Sequence, residues 1–196
     1  MVKNLAMKPF QSSFLSCEKD TEIILRKLFI ESRPYSDDLK RLLVINTRDC
    51  LDNKTNPIYL KKIEEMNLQK LVEQGYIGQQ LKVNLQEFEE VKSRIIINFD
   101  KFSPNVTNPE FRDCNIIITI LSHFDVNDLG NYRRRDLKIA GFIDGILQNS
   151  RLTGIGTLQL LSGEFLPIDE EISGYSLIYR AIHGSDDKIP ESDKIV

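Results

Sequence analysis

Two runs rich in branched aliphatic residues constrain the fold most: VKSRIIINFDKF at 91–102 and FRDCNIIITILSHF at 111–124. In the first, Arg94, Ile96, Asn98 and Lys101 interleave with Ile95, Ile97, Phe99 and Phe102. That alternation places one set of side chains on each face of a pleated strand. Pro104 and Pro109 bound a loop over 103–110, so the second run predicts a strand returning beside the first. A polar turn at 125–131 holds Asp125, Asn127, Asp128, Gly130 and Asn131. The helical spacing of Leu137, Ala140, Ile143, Ile146 and Leu147, widened by Ile139 and Phe142, then predicts a helix over 132–149. Thr153–Gly156 (TGIG) reads as a connector and Thr157–Leu161 as a third strand. An acidic loop over 164–174 leads to a fourth strand, Tyr175–Ile182, carrying Tyr175, Leu177, Tyr179 and Ala181. One helix must bury its stripe, and a sheet face is the large partner available. The expected fold class is therefore α+β, an antiparallel β-β-α-β-β core over 79–184 packed on one long helix.

An N-terminal helical extension over 20–78 precedes that core. Residues 1–19 have weak periodicity and read as an arm, with Asp20 or Thr21 capping a helix that carries Ile23, Ile24, Leu25, Leu28, Phe29 and Ile30. Pro34 interrupts the pattern. Ser36 then precedes Asp37 and Asp38, as an N-cap precedes a favourably charged first turn. Leu42–Ile45 suits either the end of that helix or a late strand. A polar loop, 46–56, leads to Pro57 at the first position of a helix reaching Gly75. Alternating Leu81, Val83 and Leu85 predict another strand. Residues 185–196 read as a solvated tail.

Formal charge is −3 and the sequence pI about 5.5, which argues against a nucleic-acid grip over the whole surface. The same balance suits a wall that DNA slides past. Cys17, Cys50 and Cys114 are too scattered for a disulfide framework or a zinc signature. The N-terminus has no signal-peptide core, and no run approaches the ~20 apolar residues of a membrane span.

Catalytic chemistry has few candidates. His123, Asp125 and Asp128 form an HxDxxD spacing that could hold a divalent metal, or could be a polar turn with a helix cap. With His183 as the only other histidine, a histidine dyad or triad has little to draw on. TGIG lacks the GK[ST] ending and follows a helix where a phosphate loop opens one. Arg133, Arg134 and Arg135 stand at the start of the long helix, where positive charge opposes the helix dipole. Being adjacent, they point three ways. Each can seek a separate partner, an acidic subunit surface or DNA phosphate among them. The reading is of a non-enzyme with no catalytic, metal or cofactor-binding residues. Arg133, Arg134, Arg135, Asp125 and Asp128 are the candidate subunit or DNA-channel contacts.

The order RIIINFDKFSPN, FRDCNIIITILSHFD, YRRRDLKIAGFIDGILQNSRLTGIGTLQLL, GYSLIYRAIHG, spanning about 90–184, resembles the neck and tail-completion proteins of tailed bacteriophages. The residues carrying it are His123 and Asp125, Arg135 to Leu147, Leu152 to Leu158, and Gly174 to Tyr179. The N-terminal stretch DTEIILRKLFIESRPYSDDLKRLLVINTRDCLDN is similar to ring proteins of crAss-like short-tailed phages. The resemblance implies a virion subunit at the head-to-tail junction, in a homo-oligomeric ring of about six or twelve copies below the portal. Its implied partners are portal, adaptor and other neck or tail proteins, with transient contact to packaged DNA. A small protein-binding module, or a metal-dependent enzyme at His123, are the alternatives. No cofactor and no membrane are implied.

Overall fold

The computed structural model describes residues 13–78, 90–104, 112–152 and 155–183. The predicted strand at 81–85, the tail at 185–196 and most of loop 103–110 lie outside them. Twelve-residue strands β2 (Ser93–Pro104) and β3 (Arg112–His123) form the predicted antiparallel pair, Ile95 opposite Ile120 and Ile97 opposite Ile118. A two-residue strand β1 (Ile77–Gly78) lies parallel to β2. Helix α5 (Phe124–Asn127) occupies part of the expected turn, and α6 (Arg135–Leu147) is the long helix. After it come β4 (Arg151–Leu152), β5 (Gly156–Thr157), β6 (Gln159–Pro167) and β7 (Ile172–His183). The main sheet runs β1-β2-β3-β7-β6.

The α+β class and the β-β-α-β-β order are as expected, but two boundaries move. The third strand is β6, which runs on to Pro167 through half of the expected acidic loop, so that loop reduces to a turn over 168–171. Strand β7 crosses back to pair with β3, so both hairpins join one sheet with α6 on one face.

Upstream, α1 (Ser13–Arg26) begins well before the expected cap at Asp20 or Thr21, within the expected arm. It runs into a π-helical turn, Lys27–Glu31, that buries Leu28 and Phe29. Helix α2 (Tyr35–Val44) starts before Ser36, whose hydroxyl is buried and caps nothing. The Leu42–Ile45 alternative resolves as helix through Val44. The single helix expected from Pro57 to Gly75 is two, α3 (Pro57–Glu65) and α4 (Leu68–Glu73). Asn67 breaks it, its side chain accepting from the Lys70 amide at 2.9 Å as a fresh N-cap.

All these elements share one core. Ile95 and Ile97, Ile116, Ile118 and Ile120, and Leu177 and Tyr179 project from one sheet face. Ile139, Ile143 and Leu147 of α6 meet them, with Leu39, Leu42 and Leu43 of α2. The opposite face carries a smaller cluster, Ile96, Leu121 and Ile172. Strand alternation separates the two sets, so a one-residue slip would exchange them. Among the described residues no helix is long and apolar enough to cross a membrane.

Two exposed glycines interrupt α6. A Cβ at Gly141 or Gly145 would meet nothing within 4 Å. Glycine inside a helix costs about 0.5–1 kcal/mol relative to alanine. Gly141→Ala and Gly145→Ala should therefore each raise the urea midpoint of the isolated chain, by about that amount in free energy. A fall in midpoint would mean that these positions are crowded.

Candidate functional site

The polar residues singled out from the sequence gather at the end of the sheet where β3, α5, the start of α6 and the β6–β7 turn meet. His123, only 7% exposed, ends β3, and its Nδ1 accepts from the Asp125 amide at 3.2 Å. It thus caps α5, the role the sequence offered to an aspartate. Its Nε2 lies 3.6 Å from Glu171 of the β6–β7 turn. Asp128 is turned elsewhere: one oxygen accepts from the Gly130 amide at 2.7 Å and the other pairs with Arg48 at 2.9 Å. His123, Asp125 and Asp128 are therefore not brought together as a ligand set. Among the described residues no group of three metal-ligating side chains occurs.

The three arginines diverge, as adjacency requires. Arg133 forms a bidentate pair with Asp52, at 2.9 and 2.6 Å. That bond holds the Asp52 carboxyl below its ordinary range and raises the guanidinium. Arg134 pairs with Asp136 and lies over the rings of Phe165 and Tyr175, 5.5 and 5.9 Å from their centroids. Its bond to Asp136 raises its pKa. Arg135 is wholly buried. Its Nε donates to the Val126 carbonyl at 2.6 Å, Nη1 to those of Leu42 and Ile45 at 2.7 Å each, and Nη2 to that of Thr47 at 2.9 Å. Burial lowers its pKa, yet a guanidinium in a protein stays charged. Arg135 presents no surface to a neighbouring subunit or to DNA. Its position corrects that expectation, because it closes the carbonyl end of α2.

Arg133 is committed to Asp52 and to the Leu129 and Gly130 carbonyls, and Arg134, Asp125 and Asp128 remain at the surface. Around them stand apolar side chains that sequence reasoning mostly missed: Phe124 at 75% exposure, Leu137 at 52%, Phe165 at 50% and Ile168 at 40%. Phe124 ended a predicted strand run and Leu137 belonged to the expected buried stripe, while Phe165 and Ile168 fell in the expected acidic loop.

Nucleophilic chemistry finds little support. Cys50 and Cys114 are buried, and burial pushes the Cys50 thiol up, against a smaller downward pull from Arg135. A shallow crevice beside His123 is lined by Lys92, Arg94 and Ser122, with Glu90 at its mouth. Lys92 and Arg94 both pair with the one carboxylate of Glu90, which leaves the crevice with an excess of positive charge. The arrangement offers a surface for macromolecular contact, apolar and studded with paired charges.

A model of the YomW family matches residues 36–181 of the 196 in the chain, from α2 to the end of the main sheet. No curated protein matches. Among solved structures, a chain from the structure titled "Virion of native gene transfer agent (GTA) particle" is 10% identical, with a TM-score of 0.41. The match covers 64% of this chain and 91% of that one.

Proposed function

The chain belongs to the YomW family, and on that premise we propose that it is a structural protein of a phage virion. Its narrower role in this reading is a subunit of a homo-oligomeric ring at the head-to-tail junction, bound to portal, adaptor and neighbouring neck or tail proteins. The observation that carries the proposal is the exposure of Phe124, Phe165 and Ile168 where α5 meets the β6–β7 hairpin: the Phe124 amide donates to the Glu171 carbonyl at 2.6 Å, and Arg134 of the neighbouring α6 start lies over the Phe165 ring. A monomer leaves single apolar residues at its surface, whereas a group of them marks a contact surface. Head-to-tail contacts between such surfaces close into rings.

The charge balance supports a channel that DNA traverses. A net charge of −3 lets DNA pass without a lasting grip, and Arg134, paired with Asp136 but more exposed than Arg133, would meet a passing phosphate or a neighbouring carboxylate. Arg133 shares its charge with Asp52.

Native mass spectrometry of the chain, alone and with portal and neck proteins, tests this reading. A closed ring or a portal-bound assembly is the expected result; a chain that stays at 22.6 kDa and joins nothing would return the protein to a one-to-one binding module. Exposed positions away from special features change stability by about 0.5 kcal/mol or less. Phe124→Ser with Leu137→Ser should accordingly leave the unfolding midpoint nearly unchanged while shifting the assembly to single chains. An unaltered assembly would move the contact surface elsewhere.

A further inference from the structure

Strand β6 lies at an edge of the main sheet, bonded to β7 on one side. Among the described residues no strand pairs with its other side. Its nine residues include Leu161 and Phe165, half-exposed or more. An open edge with exposed apolar side chains invites another strand. The run from Gln159 to Ile172 contains Glu164, Asp169, Glu170 and Glu171 and no lysine or arginine. Its complement is thus an extended segment that is apolar and basic.

One segment of this chain fits. Residues 1–12, MVKNLAMKPFQS, carry Lys3 and Lys8 and no acid, with Val2, Leu5, Met7 and Phe10. Proline is absent before Pro9, so the stretch 2–8 can donate every backbone amide. Residues 184–196 hold four acids against two lysines, and β6 would repel them. Helix α1, into which residues 1–12 lead, lies against β2, near the opposite edge of the sheet from β6. In the ring reading, a head-to-tail neighbour would have to bring its β6 to that side.

We propose that residues 1–12 of one copy add as a strand to the free edge of β6 in the next copy. The inference rests on the ring reading and specifies its contact. Main-chain bonds would supply the affinity, and apolar contact with the exposed Leu161 and Phe165 side chains, together with the acidic turn, would set the register.

A charge swap in the full chain tests it, read by native mass spectrometry and by hydrogen exchange of the β6 amides. Lys3→Glu with Lys8→Glu, and separately Glu164→Lys with Glu170→Lys, should each weaken self-association about tenfold or more and expose the β6 amides. An equimolar mixture of the two variants should assemble again, because every contact in an alternating ring is then matched. Glu164 and Glu170 are exposed, and far-UV circular dichroism verifies that each variant keeps its fold. Assemblies that form normally in both variants, with β6 amides exchanging freely throughout, would overturn the inference and leave the ring reading standing. A wild-type chain that is monomeric, yet loses β6 protection on Lys3→Glu with Lys8→Glu, would place the segment on its own chain. That result overturns both the neighbour assignment and the ring.

Discussion

Arg135→Ala should destabilise the protein by about 4 kcal/mol or more, a large share of the roughly 5–15 kcal/mol that holds a domain folded. The guanidinium serves four backbone carbonyls at once: Leu42 and Ile45 at the end of α2, Thr47 in the loop beyond, and Val126 in α5. It is wholly buried, so the carbonyls it leaves have poor access to water. Each orphaned buried acceptor costs about 1–3 kcal/mol, and hydrogen bonds from a charged donor exceed neutral ones. Arg135→Lys should recover part of the loss, since one ammonium has three donors and no planar fork. Arg135→Met restores volume but no donor and should stay close to alanine. The chain has no tryptophan, so urea unfolding is best followed by far-UV circular dichroism. A loss below about 1 kcal/mol for alanine would mean that water enters and replaces the guanidinium.

The same residue marks the boundary of what sequence makes legible. That adjacent Arg133, Arg134 and Arg135 must diverge follows from helix geometry alone. Their partners do not follow, because Asp52, Leu42 and Phe165 are remote in sequence and meet them only through the fold. Strands β2 and β3 were legible because Ile95 and Ile97, and Ile116, Ile118 and Ile120, recur at period two on the core face in runs dense with branched aliphatic residues. Strand β6 was only half legible. Beyond Leu161 it lies on an edge with Gly163, Glu164 and Pro167, where no buried face enforces alternation. Helical periodicity ran through Met66 and hid the break between α3 and α4, because both helices face one core and only the Asn67 cap separates them. Ser36 shows the converse: a sound capping residue was overruled when α2 began a turn position earlier and buried it. For the contact surface, identity carried little signal. Leu137 suits a buried stripe as well as an exposed one, and only the position of the sheet decides.

Gly174→Ala should cost about 3 kcal/mol or more, or prevent folding. Gly174 stands at the start of the GYSLIY run, opposite Leu121 in β3 and Leu166 in β6, so β7 is hemmed by a strand on each side there. A Cβ at this position would run into the Ile120 carbonyl oxygen and carbon, backbone atoms that no rotamer change can move aside. Relief requires β3 and β7 to part, which breaks ladder bonds in the middle of the sheet and shifts Ile120, a fully buried core residue. Gly163→Ala, on the edge strand, is the matched control. Its Cβ would meet only the Leu177 Cδ2 at 3.4 Å, a side-chain tip that can yield, and the change should be small. Comparing the two unfolding midpoints separates close backbone approach from the general effect of adding a methyl group to a strand. Equal midpoints would show that β3 and β7 have slack at this point, and that the glycine serves the turn over 168–171 instead.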